Sequence, residues 1–155
     1  MRGKKANNRK LAPDHKYSSE LVSKLINYVM YDGKKNAARE IVYKAMSDLE
    51  AKTKSTAMEA LEKALENVKP RVEIRSKRVG GANLQVPVPV SPERQVSLAL
   101  RWIIDAMRKS RGSKESWQAL STQLHAAFNN EGDAVRKRED VQRMAESNRA
   151  YAQLS

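Results

Sequence analysis

The residues best placed to do chemistry are cations at regular spacing. The stretch RSKRVGGANLQVPVPV (75–90) carries Arg75, Lys77 and Arg78 before a glycine-tipped turn and no charge from Gly81 to Val90. Arg94, Arg101 and Arg108 recur every seven residues, so on a helix they line one stripe. Lys34-Lys35 falls where a helix should begin, and the segment KSRGSK adds Lys109, Arg111 and Lys114. A guanidinium can grip a phosphate with two parallel N–H bonds, and an ammonium meets it as a point charge. The chemistry on offer is neutralisation of a polyanion, with no bond made or broken. Two purely structural alternatives stand beside it: a solvated charged face, and an internal i,i+4 pair between Arg101 and Asp105.

Composition supports the polyanion. The 155 residues hold 30 Lys+Arg against 18 Asp+Glu, a formal net charge of +12. That excess repels itself within a compact monomer and usually answers a nucleic acid, with an anionic membrane surface as the second candidate. Cysteine is absent, which excludes disulfides and thiolate metal sites and fits a reducing compartment. No apolar run approaches the ~20 residues of a membrane span, and MRGKKANNRK lacks the apolar stretch of a signal peptide. A soluble, intracellular protein is expected.

Catalytic patterns are missing from the sequence. His15 and His125 stand apart, there is no phosphate-binding glycine loop or nucleophile elbow, and Glu59, Glu62 and Glu66 form a helical ridge with no paired acid and base. No cofactor, metal or small-molecule substrate is expected. Aromatics make up only 5%, and Trp102 and Trp117 read as core. Recognition should therefore run through backbone and shape more than through stacked bases.

The elements that position these cations follow from periodicity. Residues 1–17, with Arg2, Lys4, Lys5, Arg9, Lys10 and Lys16, are too polar to offset their ordering entropy, and they predict a mobile basic tail. Ser18-Ser19 caps a first helix with Leu21, Val22, Leu25, Ile26, Val29 and Met30 on one face, ended by Asp32-Gly33. A second helix from near Lys34 should bury Ala37, Ala38, Ile41, Val42, Ala45 and Leu49. Thr56 to Glu59 is a capping-box pattern for a third, closed by Pro70. Ser91-Pro92-Glu93 opens a fourth, with Val96, Leu100, Ile103 and Met107 inward. A fifth runs from about Lys114 to Phe128. A sixth starts near Asp133 with Ala134, Val141 and Ala145 inward, with Tyr151 as its farthest extent.

Between the third and fourth helices lie two β-favouring runs, 71–90. Pro87 and Pro89 sit two apart, so both missing N–H groups point to one edge, which should face outward. The base is expected to be apolar on one side and to pack on the helices, and the outer part to stand free. The fold class is mainly α: a six-helix body over residues 18–155 with one protruding two-stranded antiparallel ribbon. Arg94, Arg108 and Arg111 show no acidic neighbour in sequence beyond Glu93. Arg136-Lys137-Arg138, followed by Glu139-Asp140, reads as an internally paired helix.

Several strings resemble the bacterial small-subunit ribosomal protein seven family: DGKKNAA with IVY, ALENVKPRVEIRSKRVGGANLQVPVPV, ALRWII, and VRKREDVQRMAESNRAYA. The resemblance covers nearly the whole chain. It implies a structural component of the small (30S) subunit that binds the 3′ major domain of 16S ribosomal RNA and organises the head, cytoplasmic and ribosome-bound. Carried onto matching positions, it assigns ribosomal RNA to Arg2, Lys4, Lys5, Arg9, Lys10, Lys34, Lys35, Arg71, Arg75, Lys77, Arg78, Arg94, Arg101 and Arg108, and the basic loop residues Lys109, Arg111 and Lys114 join them on charge. It places Gly80, Gly81 and Asn83 near the exit-site transfer RNA. Arg143, Arg149 and Tyr151 fall near the messenger RNA exit path and neighbouring proteins eleven and nine. Leu84 stands where the family often carries an aromatic ring, and SPERQ is less basic than usual. The competing designs are an architectural DNA-binding protein with a basic β-arm and a protein–protein scaffold with incidental charge.

Overall fold

A computed structural model of the protein describes residue 3 and residues 10–154. The tail cations Arg2, Lys4, Lys5 and Arg9 lie outside the described residues. Six α-helices are described: α1 (Glu20–Val29), α2 (Lys35–Thr53), α3 (Ala57–Val68), α4 (Pro92–Ser110), α5 (Ser116–Phe128) and α6 (Asp133–Ser147). Strands β1 (Val72–Val79) and β2 (Ala82–Pro89) separate α3 from α4, and a 3₁₀ segment, Arg149–Leu154, follows α6. The mainly α class with one antiparallel ribbon is the observed architecture. The last helix stops at Ser147 and changes to 3₁₀, short of Tyr151, the farthest end its periodicity allowed.

Local signals account for the boundaries. Ser19 caps α1 by accepting from the Leu21 N–H at 3.2 Å. Both arms of the α3 capping box are present, at 3.3 Å each between Thr56 and Glu59. Ser91 sits at the N-cap of α4, but its side chain makes no capping bond; Pro92 in the first turn sets that start. Helix α5 begins two residues later than expected, at Ser116. Glu115 turns its carboxylate to the Trp117 indole N–H and away from the helix end.

The core is where the stripes meet. Leu25 and Ile26 of α1, Met46 and Leu49 of α2, Leu61 and Leu65 of α3, and Leu100 and Ile103 of α4 converge with Leu120 and Leu124 of α5. Helix α5 packs against α2, α3 and α4. Across the α2–α5 contact, the fully buried Ser121 hydroxyl donates to Asp48 at 2.5 Å, and Lys52 pairs with the same carboxylate. Ala37 is exposed, contrary to the expected stripe, and Met46 takes a place in the core. In α6, Val135 is buried and Val141 only partly so.

The ribbon pairs in a single register, Val72 with Pro89 through Val79 with Ala82, around a Gly80-Gly81 loop. Gly80 takes φ +61, open to glycine at low cost. The Val90 N–H donates to the Arg71 carbonyl at 3.1 Å, so hydrogen-bonded pairs fall there and at every second position outward. Pro87 and Pro89 therefore take the non-bonded positions, and their missing donors cost the ladder nothing.

Candidate nucleic-acid interface

Directly opposite residues share a face of an antiparallel pair. The register thus puts Glu73, Arg75 and Lys77 on the face of Val88, Val86 and Leu84, and Val72 and Ile74 with Pro89 and Pro87. This corrects the expectation of one apolar side: the base is apolar on both. Val72, Pro87 and Pro89 turn toward α6 and the 3₁₀ segment, while Val86 is buried on the opposite face. From Arg75 to Asn83 every residue is exposed, and no atom lies within 4 Å of where a Cβ on Gly80 or Gly81 would stand. The tip can be approached at backbone distance.

Glu73 joins the ribbon to the body. Its Oε1 accepts from the Arg75 Nε–H at 2.8 Å and from Arg75 Nη2; its Oε2 accepts from Arg94 of α4, at 3.2 Å from Nε and 3.1 Å from Nη2. In sequence Arg94 has only the adjacent Glu93 as an acidic neighbour, and the fold supplies Glu73, 21 positions earlier. Burial pushes the Glu73 carboxyl up, but the hydrogen bonds and charges of Arg75 and Arg94 outweigh it and hold the group below its ordinary value. Two guanidiniums converging on one anion is an arrangement that also suits a phosphate.

Along α4, Arg101, Arg108 and Asp105 are all exposed, and Arg101 and Asp105 form no ion pair. Arg108 donates from Nη2 to the Tyr28 carbonyl at 3.4 Å, tying α4 to α1. This brings Arg108 and Arg111 beside Lys34, around a cleft of about 450 Å³ at the start of α2. Lys35, Lys109 and Lys114 are exposed nearby in the chain. Cations far apart in sequence, Lys34 with Arg108 and Arg111, thus share one surface. Tyr31 lines the same cleft and is 73% exposed. Sequence periodicity missed it, because it falls in the turn after α1.

The C-terminal candidates lie elsewhere. Arg71 and Arg149 line a second cleft of about 940 Å³ between the ribbon base, the end of α3, and α6. Arg143 is exposed and stands 3.7 Å from Asp140; Tyr151 is 39% exposed. Arg138 is spent on structure, donating to the Asn67 carbonyl and to Asn130.

Lys10 is exposed, but the chain is fixed to the body soon afterwards. Asp14, expected within a mobile tail, is 6% exposed. It accepts from the Lys16 and Tyr17 N–H groups and from the Tyr43 hydroxyl, at 2.9 and 3.0 Å to its two oxygens. Burial raises the Asp14 carboxyl, but these bonds and the Arg39 charge bring it below its ordinary value; burial and the Asp14 bond raise the Tyr43 hydroxyl. The Ser23 hydroxyl adds a bond to the Ala12 carbonyl at 2.8 Å. Residues 12–17 are therefore anchored to the body.

No group of three or more His, Cys, Asp or Glu side chains suited to a metal occurs among the described residues, and none of their helices is long and apolar enough to cross a membrane. The sequence profile of the family described as Ribosomal protein S7p/S5e matches residues 1–149. The chain belongs to this family. It is 55% identical over 152 residues to small ribosomal subunit protein uS7 of Thermosipho melanesiensis, covering 98% of this chain and 97% of that one. It is 54% identical over 144 residues to the uS7 of Nitratidesulfovibrio vulgaris, covering 93% and 92%. Membership in the S7p/S5e family makes this a ribosomal protein and not an enzyme. The ribbon and α4 of this S7p/S5e chain carry exposed arginines and lysines.

Proposed function

We propose that the protein is a structural component of the small (30S) ribosomal subunit, cytoplasmic and ribosome-bound, that binds 16S ribosomal RNA in its 3′ major domain and organises the head. The observation that carries this reading is the family match over residues 1–149 on a chain of net charge +12 whose ribbon and α4 cations stand exposed. The RNA contacts are assigned to the tail, Lys34-Lys35, Arg71, the first ribbon strand, the Arg94/Arg101/Arg108 stripe and the Lys109–Lys114 segment. Binding works by charge neutralisation: each phosphate met releases counterions, and a scaffold held by its own core loses little entropy on docking.

Two finer assignments extend this reading. The open tip at Gly80, Gly81 and Asn83 lies near the exit-site transfer RNA, where the absence of bulk permits a close backbone approach. Arg143, Arg149 and Tyr151, on a surface separate from the α4 stripe, face the messenger RNA exit path and neighbouring proteins eleven and nine. Reconstitution tests the whole. Small subunits assembled from 16S RNA and purified proteins without this chain should stall before the head forms, and adding it should restore the full particle. Complete heads without it would refute the function.

A further inference from the structure

Resting on the reading that this protein binds ribosomal RNA, we propose that the cleft between the α1–α2 turn and the end of α4 holds one unstacked nucleotide of that RNA. Its base lies on the Tyr31 ring and its phosphate meets Lys34, Arg108 and Arg111. Four observations converge there. The first is the ring itself. Of the eight aromatic residues, six pack against the core and Tyr151 is 39% exposed, while Tyr31 stands 73% exposed. The second is the cleft beneath it. Its floor is apolar, from Val29, Ile41 and Met107, and exposed Ala37 contributes almost no side chain to fill it. At about 450 Å³ it lies within the range of ligand-sized sites.

The third observation is charge. Lys34, Arg108 and Arg111 line the cleft and no carboxylate does; Asp32 in the adjoining turn is not among the lining residues. An apolar floor beside clustered cations suits a group with a flat uncharged part and an anionic part. A nucleotide has both, and every base offers a π-face. The fourth is rigidity. The Lys34 N–H donates to the Tyr31 carbonyl at 3.0 Å and the Lys35 N–H to the Gly33 carbonyl at 2.8 Å, across a turn with positive φ at Asp32 and Gly33. The turn fixes where the ring starts, and the Arg108–Tyr28 bond fixes the opposite wall. Sequence-specific RNA readers splay out single bases in this way, so this one site adds base contact to a surface that otherwise meets backbone.

The test compares full-length wild type, Tyr31→Ala, Tyr31→Phe and Arg108→Ala for affinity to a 16S 3′ major-domain transcript across a salt series. Tyr31→Ala should weaken binding roughly 5- to 150-fold, the range for one base–aromatic stack. Its salt slope should equal wild type, since no charge is lost, and its melting temperature should not move. Tyr31→Phe, which keeps the ring, should bind as wild type. Arg108→Ala should lower the slope by about 0.7–0.9. Unchanged affinity in Tyr31→Ala, or equal loss in Tyr31→Phe, would overturn the stacking site while leaving the RNA-binding function standing. Wild type without preference for the transcript would overturn both.

Discussion

Replacing Glu73 with glutamine removes the anion that holds the ribbon against α4 and changes almost no volume. Glu73 is 13% exposed, but Arg75 and Arg94 are 62% and 48% exposed, so water screens the arginine ends. Desolvated charge-assisted bonds are worth about 1.5–3 kcal/mol and exposed ion pairs about 0.2–1, which places Glu73→Gln near 1 kcal/mol. At about 2.1 cal/mol/K of unfolding entropy per residue, a chain of this length loses about 3 °C of melting temperature per kcal/mol. The pH dependence gives the sharper check. The folded-state value of Glu73 lies below its ordinary 4.5. Its contribution is then fully present above the unfolded value and is lost as pH falls through the folded value. Circular dichroism melts of wild type and Glu73→Gln should differ by about 3 °C at neutral pH. That gap should narrow as pH is stepped below 4.5. A gap that is absent at neutral pH, or that stays constant into acid, would refute the bridging role.

Tyr43→Phe removes the hydroxyl that bonds Asp14 and should cost about 1–2 kcal/mol in urea denaturation. Asp14 is also depressed, so that loss should be present above its ordinary 3.8 and shrink as pH falls through the folded value. Arg78→Ala with Arg101→Ala alters two exposed side chains; stability should shift by no more than about 0.5 kcal/mol per site, and the salt slope of RNA binding should fall by about 0.7–0.9 per arginine. Gly132 holds φ +91 and ψ 176, and an added Cβ would stand 3.1 Å from the Ala126 Cβ. Gly132→Ala should therefore cost about 1–3 kcal/mol in calorimetry.

What the sequence disclosed depended on the range of the signal. The helices were legible because apolar spacing, Thr56 with Glu59, and Pro92 act within one or two turns. The ribbon was legible from β-favouring runs around Gly80-Gly81, and the outward edge from Pro87 and Pro89. Its faces were not. Which residues of β2 lie over Arg75 depends on register, and only the two-residue loop fixes that. The anchor at Asp14 was hidden for a related reason. An acid in a basic segment has no periodicity, and its partner Tyr43 is 29 positions away. Glu73 and Arg94, 21 positions apart, likewise meet only in the folded chain. Tyr31 sits in a turn, where helical spacing gives no information about exposure. The cationic character of the surface could be counted from composition, whereas the gathering of Lys34, Arg108 and Arg111 around one cleft required the packing of α1, α2 and α4.

The most direct measurement of RNA recognition is the affinity of the full chain for the 16S 3′ major domain, set against random-sequence RNA of equal length across a salt series. Tighter binding to the ribosomal transcript is expected, with log K falling by about 0.7–0.9 for every phosphate neutralised. Equal affinity for both RNAs, or a slope near zero, would contradict it.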